Sequence, residues 1–119
     1  MRTSKGKNPQ GTMKRYALLG RLKPDKIDEY CELHAHPTPG LVQVLKETHV
    51  TNYSIFLHGD LVFSYFEYTG NDFEADMAKQ AEYPAMQEWW SRSKPCFVKY
   101  GVEPDCQFTP VIKQVFFNE

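Results

Sequence analysis

His34 stands four residues after Tyr30, in a stretch where Ile27, Tyr30, Cys31 and His34 recur at helical spacing. That spacing puts the imidazole and the phenol one turn apart on a single helix face. An imidazole ordinarily titrates at about pH 6.5, close enough to neutrality to give and retake a proton. Of the four histidines, His36, His49 and His58 fall in predicted breaks or turns, so His34 is the one with ordered neighbours. By pattern alone, an inner-face histidine is more often a satisfied core residue than a catalyst. Two adjacent tryptophans, Trp89 and Trp90, leave their helix in different directions. One is expected in the core. The other would offer a flat platform to the apolar face of a ring-shaped ligand such as a sugar, with two packing tryptophans as the equal alternative. Tyr53, in the run Asn52 to Leu57, poses the same choice between packing and a hydroxyl that binds a ligand.

Other chemistries find less support. His34 and His36 form an H-x-H pair, but on a helix positions i and i+2 diverge, and neither an H-x-x-x-H spacing nor a carboxylate stands at ligand distance. No metal site is expected. There is no G-x-S-x-G, and Cys31, one turn before His34, reads as packing rather than as a thiolate. Glycine loops of the phosphate-cradling kind are absent. What remains is cofactor-free acid–base chemistry in an aromatic, polar pocket.

The elements that would carry these residues follow from periodicity and punctuation. Lys14 to Leu22 reads as a strand, ended by Lys23-Pro24-Asp25. Pro24 suits the first turn of the helix bearing Tyr30 and His34. His36-Pro37-Thr38-Pro39 interrupts that helix, because each proline disfavours helical geometry in the residue before it. A second helical stretch places Leu41, Val44, Leu45 and Thr48 together. Two strands, Asn52 to Leu57 and Leu61 to Tyr68, joined through His58-Gly59-Asp60, predict an antiparallel hairpin. Asn71, with Glu74 three residues on, is the expected cap of another helix, restarted at Pro84 and apolar at Met86, Trp89 and Trp90. Residues 94 to 110 read as a long loop of the kind that covers a site or a partner. Val111 to Phe117 alternates as a last strand.

The order β, α, β, β, α, β is the split arrangement of a ferredoxin-like α+β fold, a four-stranded antiparallel sheet with helices on one face. Apolar residues on both sides of the central strands leave the other face bare, which predicts a homodimer. A chain of 119 residues fits one domain, taken as residues 13 to 119 after a polar, flexible segment 1 to 12 that lacks the apolar core of a secretory signal. A hydrophobic fraction of 41%, a charged fraction of 24% and a net charge of -1 point to an ordinary globule and against nucleic-acid or membrane partners. Three cysteines without C-x-x-C spacing fit free thiols in a reducing cytoplasm.

From about Met13 to Glu119 the chain resembles the L-rhamnose mutarotases and their L-fucose-associated relatives. The resemblance rests on P-D-x-x-x-E-Y-x-x-x-H (Pro24 to His34), N-Y-S-I-F-L, L-V-F-S-Y-F-E-Y, F-x-x-D-M-A-K, Q-E-W-W (Gln87 to Trp90) and the closing Q-V-F-F. It implies a dimeric α/β barrel of ferredoxin-like protomers, without cofactor, that interconverts the α and β anomers of a deoxy-hexose. It assigns His34 as proton donor and Tyr30, Tyr53, Trp89 and Trp90 as the lining of the sugar site. One departure is Thr38-Pro39 where the family usually carries tryptophan-proline, which alters the pocket rim and bears on which sugar fits. The other activities considered for such a barrel are a small monooxygenase and a non-catalytic ligand-binding protein.

Overall fold

The computed structural model describes residues 13 to 99 and 109 to 118. The expected flexible segment 1 to 12, the middle of the expected long loop and Cys106 lie outside the described residues. Strand β1 (Lys14–Leu22) pairs antiparallel with β3 (Leu61–Tyr68), which pairs antiparallel with β2 (Val50–His58). On its other edge β1 meets two short strands, β4 (Phe97–Val98) at Arg21 and Leu22 and β5 (Val111–Ile112) at Ala17 and Leu18. The order is β2-β3-β1-β4, with β5 beside β1, and the chain is α+β.

The hairpin turns through Gly59 at φ +61, a left-handed conformation that glycine adopts without steric cost. Helix α1 (Ile27–Ala35) follows a short turn of 3-10 helix begun by Pro24. Helix α2 (Leu41–Glu47) is entered through Gly40 at φ +92, and α3 (Phe73–Gln80) and α4 (Pro84–Ser93) follow the hairpin.

One face of the sheet packs on the helices. Along β3 the inward residues are Val62, Ser64, Phe66 and Tyr68, each buried, while Leu61, Phe63, Tyr65 and Glu67 point outward. Three apolar clusters form, two where this face meets helices and one between α2 and α4. Leu22, Val62 and Phe97 pack with Tyr30 of α1; Leu41 and Val44 of α2 pack with Met86 of α4; Phe66, Tyr68 and Val50 pack with Phe73 and Met77 of α3. A fully buried side chain such as Leu22 contributes about 2 kcal/mol by leaving water. Thr48 ties α2 to α3: its hydroxyl donates to the Val44 carbonyl at 2.8 Å and accepts from Gln80 Nε2 at 3.0 Å.

Four expectations need correction. The cap of α3 is Asp72, not Asn71, because the Asp72 carboxylate reaches the Ala75 N–H at 3.1 Å. Cys31 is exposed, not packed: the inward stripe of α1 runs through Ile27, Tyr30, Leu33 and His34 and leaves Cys31 outside it. Residues 94 to 98 are not loop but a 3-10 turn leading into β4. The last strand is laddered only at Val111 and Ile112, against Leu18 and Ala17; 113 to 118 run on past the Tyr16 to Lys14 end of β1 without sheet partners among the described residues.

Candidate active site

Helix α1 fixes an imidazole in one protonation geometry. His34 Nδ1 lies 2.8 Å from the backbone oxygen of Tyr30, one turn earlier. A carbonyl oxygen only accepts, so Nδ1 carries the hydrogen and Nε2 is the nitrogen left to exchange a proton with a ligand. Among the described residues Nε2 has no hydrogen-bond partner. The ring is held from two sides: the Tyr30 ring lies at 4.3 Å between centroids, and Trp89 meets it edge-on at 4.9 Å. Tyr30 is itself buried and braced edge-on by Phe97 at 5.3 Å.

The His34 ring lines a cavity of about 720 Å³ between the sheet and the helices, which the three apolar clusters surround. Its floor is the inner sheet face: Leu18 of β1, Tyr53 and Ile55 of β2, and Val62, Ser64 and Phe66 of β3. Its walls include Tyr30 and His34 of α1, Leu41 of α2, Met77 and Gln80 of α3, and Met86, Trp89 and Trp90 of α4. Lys94 follows α4 and holds its ammonium 4.2 Å from the Trp90 ring centroid, an attraction between cation and aromatic face. The lining is thus mostly apolar and aromatic, with a few hydroxyl, imidazole and amide groups, the composition of a small-molecule site.

Electrostatics keep the phenols neutral. Burial pushes the Tyr30 hydroxyl well above the ordinary tyrosine range, and the nearby Tyr53, Cys96 and Cys31 add to this. Burial also raises the Tyr53 hydroxyl, although a hydrogen bond with Ser64 works the other way. At neutral pH both therefore are uncharged hydroxyls, able to donate a hydrogen bond, and not phenolates.

All five residues singled out from the sequence, Tyr30, His34, Tyr53, Trp89 and Trp90, line this one cavity. The tryptophans differ from the expectation that one would sit in the core. Both are partly buried and both reach the cavity, while Met86 fills the interior position on α4. Sequence reasoning did not single out Ser64, Phe97 and Lys94. Ser64 was detectable as the one small polar residue on the inward phase of an otherwise apolar strand, whereas Phe97 and Lys94 lay in the stretch read as loop. Thr38 is buried, and its hydroxyl has no hydrogen-bond partner among the described residues. No cluster of metal-ligating side chains occurs among the described residues, and no helix there is long and apolar enough to cross a membrane.

Comparison with known proteins agrees with the resemblance seen in the sequence. The family model "L-rhamnose mutarotase" matches residues 15–117. The L-rhamnose mutarotase of Oceanobacillus iheyensis is 38% identical over 85 residues, covering 70% of this chain and 79% of that protein. That of Bacillus subtilis is 30% identical over 110 residues, covering 88% of this chain and 98% of that protein. The crystal structure of an L-rhamnose mutarotase from Formosa agariphila superposes with a TM-score of 0.67 at 25% identity, covering 89% of this chain and 99% of the other.

Proposed function

The chain belongs to the L-rhamnose mutarotase family, and on that premise we propose that it exchanges the α and β anomers of a deoxy-hexose, L-rhamnose or L-fucose, through ring opening. The observation that carries this reading is the His34 imidazole. Its Nδ1 is committed to the Tyr30 carbonyl and its Nε2 has no partner among the described residues, on the wall of an aromatic cavity. In the opening step the His34 imidazolium gives the Nε2 proton to the ring oxygen as the C1–O5 bond breaks. The anomeric hydroxyl loses its proton and becomes the aldehyde oxygen. Rotation about C1–C2 presents the other carbonyl face, and the same transfers in reverse close the ring. The proton count is balanced, and no oxidant or reductant enters.

Because Tyr30 and Tyr53 stay neutral, the proton from the anomeric oxygen passes to water or along a tyrosine hydroxyl, not to a preformed phenolate. Trp89 and Trp90 supply flat surfaces for the C–H face of the pyranose. The mostly apolar lining suits a sugar bearing a methyl in place of a hydroxymethyl.

The same proposal includes assembly. The outward sheet face exposes Phe56 by 60% and Phe63 by 43%, beside Leu19 and Tyr65. A second copy covering it would complete a dimeric barrel of two ferredoxin-like protomers. The free thiols of Cys31 and Cys96 suit a reducing cytoplasm, and the net charge of -1 favours neither nucleic acid nor membrane as partner.

Saturation transfer between the anomeric proton resonances of L-rhamnose and of L-fucose, with and without protein, tests the reaction. Catalysed exchange of at least one sugar is expected. Sugar binding without faster exchange would mark a non-catalytic barrel, and neither binding nor exchange would refute the reading.

A further inference from the structure

Strand β2 carries one residue more than its partner can match. Thr51 pairs with Glu67 and Ser54 with Tyr65, so Asn52 and Tyr53 together oppose Phe66 alone. Val50, at 5% exposure, points inward, and Tyr53 also reaches the inner cavity, although they are three residues apart. A regular strand would send them to opposite faces, because side chains alternate with a period of two. The residue that absorbs the mismatch is Asn52, at φ +50, the left-handed conformation that asparagine tolerates better than branched residues do.

Its side chain is clamped on the outer face. Asn52 Nδ2 donates to Glu67 Oε1 at 2.7 Å, while the Tyr65 hydroxyl donates to Glu67 Oε2 at 2.8 Å. Glu67 thus bridges the extra residue to Tyr65, the position that Tyr53 would face were the strand regular from Val50 onward. These hydrogen bonds, from Asn52 and then Tyr65, hold the Glu67 carboxyl below its ordinary value and so keep it a charged acceptor.

We propose that Asn52 is a positioning residue for the sugar site: its left-handed bulge, locked by Glu67 and Tyr65, turns Tyr53 from the outer sheet face into the cavity. The inference rests on the reading of Tyr53 as a sugar-binding residue, and it assigns Asn52 no contact with substrate. A β-branched residue at 52 prefers extended backbone, and the strand must then turn outward either Val50 or the set Tyr53, Ile55 and Leu57.

The test compares Asn52→Gly, Asn52→Val and Asn52→Ala, with Glu67→Ala removing the clamp and Tyr53→Ala as reference. Nuclear Overhauser contacts between the Tyr53 and Phe66 rings, 5.4 Å apart here, report the orientation of Tyr53 without reference to activity. Glycine accepts positive φ, so Asn52→Gly should keep those contacts. Asn52→Val should lose them and slow anomer exchange about tenfold or more, the scale expected when a positioned group moves by an ångström. Should the valine variant not fold, Asn52→Ala and Glu67→Ala give the answer. Their loss of exchange must vanish in the Tyr53→Ala background, which a general loss of stability would not do. Retained Tyr53–Phe66 contacts in the valine or alanine variants, or an undiminished effect in the Tyr53→Ala background, would overturn the inference. Loss of those contacts with no change in exchange would keep the bulge as the device that orients Tyr53 and reject Tyr53 as a sugar-binding residue.

Discussion

Gly20 joins sheet packing to the candidate site through Phe97, which lines the cavity. It lies on the inner phase of β1 opposite Val62, and a Cβ placed there would sit 2.8 Å from Phe97 Cε1 and 2.9 Å from Thr109 Cγ2. The first neighbour is a stiff, buried ring, not the end of a flexible chain. To regain an ordinary carbon–carbon separation of about 3.5 Å, Phe97 must retreat by about 0.7 Å. Such overpacking costs about 1–3 kcal/mol. At about 2.1 cal/mol/K of unfolding entropy per residue, a chain of 119 residues loses about 4 °C of Tm for each kcal/mol. Gly20→Ala should therefore lower the midpoint of thermal unfolding, followed by circular dichroism, by about 4–12 °C. Because Phe97 stands edge-on to Tyr30, anomer exchange should fall as well. Trimming the ring relieves the overlap, so the Gly20→Ala, Phe97→Leu double variant should lose less stability than the two single losses added together. An unchanged Tm for Gly20→Ala, or strict additivity in the double variant, would refute the packing argument.

Stability should also depend on pH through a cluster at the start of α3. Asp76 accepts hydrogen bonds from the Tyr68 hydroxyl and from His49 Nδ1, the latter at 3.0 Å. Burial alone would raise the Asp76 carboxyl, but these hydrogen bonds outweigh it and the group is held below its ordinary value. Its contribution is thus full above about pH 4 and lost as pH falls through the depressed folded value, and Asp76→Asn should flatten that acid limb of Tm against pH. Tyr68 shows the opposite sense: burial, with the hydrogen bond to Asp76, pushes its hydroxyl up to about 12. The stability it contributes is present below about pH 10 and lost as pH rises from there, and Tyr68→Phe should lessen an alkaline limb to which Tyr30 and Tyr53 also contribute. On the outer sheet face, Phe56→Ser with Phe63→Ser should turn a dimer into monomer by sedimentation, whereas a monomeric parent would contradict the proposed assembly.

The sequence was informative where function and fold share a local period. Tyr30 and His34 announce their common face because four residues make about one helical turn, and Gly59 marks the hairpin because only a left-handed residue closes so short a connection. The bulge at Asn52 left no such mark. Val50 to Leu57 mixes polar and apolar residues on both phases, so an extra residue does not disturb any visible alternation, although it decides where Tyr53 points. The strand read at Val111 to Phe117 alternates correctly, but alternation does not say how far a segment stays beside its partner, and only Val111 and Ile112 pair with β1. Asn71 and Asp72 are both good caps, and only three-dimensional reach to the Ala75 N–H separates them. Convergence of two tryptophans on His34 and Tyr53 is a property of how α4 crosses the sheet, which periodicity along one helix does not encode.

Replacement of His34 asks directly whether its imidazole carries the proton. Its ring contributes one hydrogen bond, at the Tyr30 carbonyl, and contacts with the Tyr30 and Trp89 rings, so His34→Asn should cost about 1–3 kcal/mol of stability. Removal of a positioned proton donor should slow catalysed anomer exchange about 100-fold or more. The expected outcome is a folded His34→Asn protein in which saturation transfer between the sugar anomers has returned to the rate in buffer; a folded variant exchanging anomers at the parental rate would rule out His34 as the proton donor.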